Sequence, residues 1–142
     1  MQPIFQNTPL PLLELAARFG EQRQDVLAGN VANIDTPGYR TRDLPVEEFQ
    51  KALTQAMAAR SSHAPPGHYG PSAPVSLQEL FPETLFRANE INSGHVTFQD
   101  GNKRNIEREV MEMTTNSLMQ NTVIGLMTAQ FQMLQAAISG RA

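Results

Sequence analysis

Between Val110 and Gly140 the chain carries one charged residue, Glu112, and no proline. That stretch limits every fold the rest can adopt. Asn105 is placed as an N-cap with Glu107 and Glu109 in the first turn, so the sequence predicts a single helix over residues 105–140. Such a helix is about 50 Å long, whereas a compact domain of this length is about 35–40 Å across. A mainly α, elongated molecule is expected.

The heptad of this helix is the clearest periodicity present. With Val110 at a, the a positions are Val110, Ser117, Ile124, Phe131 and Ile138, and the d positions Ile106, Met113, Gln120, Met127 and Leu134. Met111, Leu118, Met119, Val123, Leu126 and Met133 lie off that seam, where a solvated helix normally carries Lys and Glu. Periodicity alone suits the central helix of a monomeric bundle equally well. Partner supply decides: a bundle needs roughly three covering helices, and the sequence offers one long and one short. Contacts from other chains are the simplest source of the missing surface.

The long partner begins at Leu10, where Leu12, Leu13, Ala16, Phe19, Val26, Leu27, Val31 and Ile34 recur at intervals of three and four. This predicts a helix over 10–36 after a disordered N-terminus at 1–9. Gly20 and Gly29 fall inside it, each costing about 1 kcal/mol relative to Ala, so it needs a partner surface. The two long helices are expected to pair as a coiled coil. Leu12, Phe19, Val26 and Leu27 would pack from one side, and Ile106, Val110, Met113, Ile124, Met127, Phe131, Leu134 and Ile138 from the other. A short helix over 45–60 follows Pro45, with Glu47 and Glu48 at its positive end and an apolar stripe of Phe49, Leu53, Ala56 and Met57. Residues 61–76, dense in Pro, Gly and Ser, read as a flexible linker. Within 77–104, "HVTFQDGN" resembles a strand entering an Asp-Gly turn, and a small hairpin is expected.

Composition narrows the function classes. The net charge is −3 and there is no Lys/Arg run, so the footprint of a nucleic-acid binder is missing. Without cysteine there is no disulfide, thiolate zinc site or Cys nucleophile. The first residues lack the basic and apolar regions of a cleavable signal peptide, and no apolar run approaches the roughly 20 residues of a transmembrane helix. His63 and His68 share the Pro/Gly segment without a nearby carboxylate, and His95 stands alone; they read as solvated, with no metal site. Glu107, Glu109 and Glu112 are explained by the helix dipole rather than by acid/base chemistry. Asp100-Gly101-Asn102 lacks the later ligands of a calcium loop and reads as a turn. No cofactor, small-molecule substrate or catalytic residue is expected.

One segment carries more than its turn requires. In "AGNVANIDTPGYRTRD", Thr36-Pro37-Gly38 is an efficient helix stop. Asn30 and Asn33 lie along one helical face, placed to bond a neighbouring chain or to cap the turn, and Tyr39 presents a flat body with a polar tip. We read Asn30, Asn33 and Tyr39 as contacts to other subunits.

With Asn30, Asn33, Thr36, Pro37, Gly38 and Tyr39 in this order after an N-terminal helix, "GNVANIDTPGYR" closely resembles the signature of bacterial flagellar axial proteins of the rod and hook group. "RDLPVEEFQKAL", "DGNKRNIEREV" and the terminal "AAISGR" are similar to proximal rod members of that group. Arg104 departs from the pattern, which often carries an apolar residue there. The resemblance implies a structural subunit of the periplasmic rod in the flagellar basal body, exported by the flagellar type III apparatus without a cleaved signal peptide. It also implies contacts with further copies, the rod protein FlgC, the adaptor FliE and the export gate. A cytoplasmic coiled-coil adaptor and a small hydrolase using His63 or His68 are the alternatives from other classes. Changing both histidines to alanine should leave swimming unaltered in a soft-agar assay; lost motility would return the hydrolase reading.

Overall fold

The computed structural model describes residues 8–61, 76–91 and 106–140. Among them the elements are helix α1 (Leu10–Ala32), strand β1 (Arg42–Asp43), helix α2 (Val46–Ser61), short helix α3 (Leu77–Leu80), a 3₁₀ turn (Glu83–Phe86), strand β2 (Asn89–Glu90) and helix α4 (Ile106–Ser139). The chain divides into two compact units, Met1–Asp43 with Ala88–Ala142, and Leu44–Arg87. The fold is mainly α, with long terminal helices packed on each other and a sheet of two short strands.

In the first unit α1 packs along α4 and also meets β1. The two long helices run antiparallel, because falling positions of α1 meet rising positions of α4: Asn30 bonds Glu109, Arg23 bonds Glu112 and Gly20 bonds Asn116. Gly20 is buried where they approach, and a Cβ there would stand 3.6 Å from Gln120 Cγ. Helix α1 stops at Ala32, short of the expected 36. The cause is Asn33, whose backbone N–H and side-chain Nδ2 both donate to Gly29 O, at 3.1 and 2.9 Å, and close the last turn.

The β element joins distant segments. β1 and β2 pair antiparallel with Arg42 opposite Glu90 and Asp43 opposite Asn89, so the strand near residue 90 returns to the chain following the Thr-Pro-Gly-Tyr turn. Residues 62–75 of the expected linker, the "HVTFQDGN" strand, all three histidines and Asp100–Asn102 lie outside the described residues.

Helix α4 hides part of its own polarity. The hydroxyls of Thr114, Ser117, Thr122 and Thr128 donate to the carbonyls four residues earlier, at 2.8–2.9 Å. The three threonine methyls are left as the outward group. No helix among the described residues is long and apolar enough to cross a membrane.

The second unit closes on aromatic rings. Phe49 of α2 meets Phe81 edge-on at 5.4 Å between centroids and Phe86 at 6.2 Å. Leu44, Ala52, Ala56 and Leu85 are also buried. The inward stripe of α2 is thus Phe49, Ala52 and Ala56, with Leu53 half-buried and Met57 exposed, because small residues let α2 approach the rings. Phe49→Ala should cost about 3 kcal/mol and release residues 44–87 first, seen as a local rise in amide exchange that spares α1 and α4.

Candidate functional site

The turn after α1 is built from its own residues. Asn33 Oδ1 accepts from Thr36 Oγ1 at 3.4 Å. Thr36 to Tyr39 then form a type II turn, with Pro37 second, Gly38 third at φ 74°, and Tyr39 N donating to Thr36 O at 3.2 Å. A side chain is strained at that φ, which is why glycine stands there. The reversal brings Arg42 back beside the end of α1.

Asn30 receives it. Its residue is 0% exposed, yet every hydrogen-bonding position of the amide is filled. Nδ2 donates to Arg42 O at 2.7 Å and to Glu109 Oε2 at 2.9 Å. Oδ1 accepts from Arg42 N at 3.0 Å and from Tyr39 Oη at 3.1 Å. Ile91 N donates to Thr41 O at 3.0 Å, so the next residue, Arg42, directs its backbone groups away from β2. The Asn30 amide meets them as a neighbouring strand would. One side chain thereby joins α1, the turn, β1 and α4.

Seven residues earlier, Arg23 does the same with charge. Nε and one terminal nitrogen grip Asp43 Oδ1 and Oδ2 at 2.8 Å each, and that terminal nitrogen also reaches Glu112 Oε2 at 2.7 Å. The Asp43 hydrogen bonds raise the Arg23 pKa against the opposing effect of burial, and Glu112 raises it further. Because the folded value is raised, this contribution is complete below the ordinary arginine range and is lost only in strong alkali. A third contact follows: Asn116 Nδ2 donates to Gly20 O and to Gln24 Oε1, both at 2.8 Å. Neither an amide nor a guanidinium changes its protonation state near neutral pH, so Asn30, Arg23 and Asn116 serve as fixed donors that fasten segments together.

These contacts reassign the seam. The less exposed residues of α4 include Glu109, Met113, Asn116, Gln120, Val123, Met127, Gln130 and Leu134, at alternating intervals of four and three, with Glu112 and Ser117 beside them. Met113, Met127 and Leu134 are half-buried, and Leu12, Phe19 and Leu27 of α1 are buried with Val26 half-buried. The a positions differ. Val110, Ile124, Phe131 and Ile138 are exposed, Ile124 by 51% and Phe131 by 56%, and so is Ile106 at the start of the helix. The physical reason is that the partners of Arg23, Asn30 and Gly20 sit at 112, 109 and 116 respectively, which turns the polar side of α4 inward. Asn30 likewise differs from the expectation, its bonds lying inside the chain; Asn33 and Tyr39 are half-buried with partners there, and Thr36, Pro37 and Gly38 are exposed. Arg23, Asp43, Glu109, Glu112 and Asn116 were not anticipated as site residues. The readable signal was an Arg and an Asn seven apart within an apolar stripe.

The model of the family described as Flagella basal body rod protein matches residues 21–40, the segment holding Arg23, Asn30 and the turn. Curated relatives extend the likeness to nearly the whole chain. Flagellar basal body rod protein FlgB of Escherichia coli (strain K12) is 33% identical over 140 residues, covering 93% of this chain and 91% of its own. The Salmonella typhimurium FlgB is 29% identical over 147 residues, covering 92% and 98%. The Bacillus subtilis FlgB is 24% identical over 130 residues, covering 90% and 91%. The chain belongs to the flagellar basal body rod protein FlgB family.

Asn30→Ala should strand the Arg42 N–H and the Glu109 carboxylate, cost about 2 kcal/mol and speed amide exchange at Arg42 roughly 30-fold. Asn30→Asp should introduce a pH dependence on the acid side. It sets a second carboxylate against Glu109, so protonation favours the folded state and that variant should gain stability on acidification toward about pH 4.

Proposed function

We propose that this chain is a structural subunit of the proximal rod of the flagellar basal body. It passes through the flagellar type III apparatus without a cleaved signal peptide and assembles in the periplasm. There it carries torque from the membrane ring toward the distal rod and hook. Its neighbours in this reading are further copies, FlgC, FliE and the export gate; it has no substrate, cofactor or nucleic-acid partner and performs no catalysis.

The observation that carries the reading is the surface of α4. Two exposed apolar edges flank the stripe packed on α1: Val110, Ile124, Phe131 and Ile138 on one side, Met119, Leu126 and Met133 on the other. Past Glu112 this helix has no charged residue. A monomer rarely leaves so much contiguous apolar surface in water. Two dissimilar edges on opposite sides suit heterologous contacts, which repeat into an open helical filament instead of closing as a dimer.

Ile124→Asp or Phe131→Asp would place a carboxylate in those contacts without disturbing the α1 seam. Each variant should be made at normal levels and yet leave cells without assembled rods and unable to swim. Normal motility with either change would refute the proposal.

A further inference from the structure

The stripe of α4 that faces α1 is half polar, while the stripes beside it are apolar. A helix pair selected for stability alone would bury the apolar ones. We propose that Arg23, seconded by Asn30, is a specificity-determining side chain that fixes the register and face with which α4 docks on α1. This denies α1 to the apolar edges. The register claim stands on the chain alone, and only the use of the spared edges by neighbours rests on the rod reading.

Arg23 requires an acceptor opposite it besides Asp43, and Asn30 requires one opposite its second donor. Glu112 and Glu109 meet both demands in one register. Sliding α4 by a heptad in one direction brings Met119 to Arg23, and Glu112 is the last acidic residue of the chain, so no later carboxylate can replace it. Sliding by three residues the other way gives Arg23 the Glu109 carboxylate but leaves Asn30 facing Ile106. Rotating α4 onto its Val110, Ile124 and Phe131 edge removes both acceptors. Each alternative leaves a buried guanidinium or amide short of a partner, which is costly in a low-dielectric seam. Ion clusters of this type add little stability over apolar packing, and their best-attested use is to set register.

The chain has no cysteine, so Asp25→Cys and Thr115→Cys, both at exposed positions of α1 and α4, admit a clean pair of spin labels for pulsed dipolar distance measurement on the full chain. One narrow distance is expected with the polar seam intact, and again with Arg23→Lys, which keeps the charge. With Arg23→Met, Asp43→Leu, Glu109→Leu and Glu112→Leu combined, helical circular dichroism should persist. The single distance should then divide into populations displaced by up to about 10 Å, the rise of one heptad. A single unchanged distance in the combined variant would overturn the proposal, as would loss of its helical signal, which would assign the cluster to stability. A broad distribution in the unsubstituted seam would overturn it too. None of these outcomes bears on the rod reading, which the α4 edge variants test by motility.

Discussion

Four hydrogen bonds to one amide hold the described elements of the first unit together. Without Asn30, the outward backbone groups of Arg42 would have no strand to meet, and Tyr39 and Glu109 would each lose a partner. Full burial makes that dependence strict, since water cannot replace a missing bond at a site with 0% exposure. Arg23 makes a three-way join of α1, β1 and α4 through charge, two helical turns earlier. The type II turn is subordinate to both. Its role is to return the chain to the point where α1 can pair with β1.

Much of this was legible in the residues. Intervals of three and four marked α1 and α4, and proline with glycine marked the turn, because local backbone chemistry decides those features. The facing of α4 was not legible. Apolar periodicity says which surface must be covered, not by what, and in a helix with several partners the strongest stripe need not meet its own chain. Glu109 and Glu112 were obscured for a related reason: a helix dipole already accounts for Glu109 in the first turn and Glu112 follows within one turn of it, so their bonds to Asn30 and Arg23 added nothing visible to the pattern. The pairing of Arg42 with Glu90 joins segments far apart in sequence, and two-residue strands carry no alternation to announce it.

A division of labour between the faces of α4 follows. Its polar stripe is spent on orientation inside the chain, where directional bonds define one arrangement. Its apolar stripes stay outside, where burial is non-directional and proportional to area. Membership of the FlgB family gives this division its context, since a structural rod protein must present surface to others while keeping its own helices in a fixed relation.

The threonines of α4 extend that thought. The hydroxyls of Thr114, Thr122 and Thr128 are turned back on the helix, as at Thr122 to Leu118 O at 2.9 Å, and leave methyl groups outward. Whatever packs there meets mainly carbon. Such a contact has no single bond to snap: a small slip exchanges one atom pair for another, each worth about 0.1–0.2 kcal/mol. A contact made on that surface would hold by area and would yield by fractions of an ångström under shear.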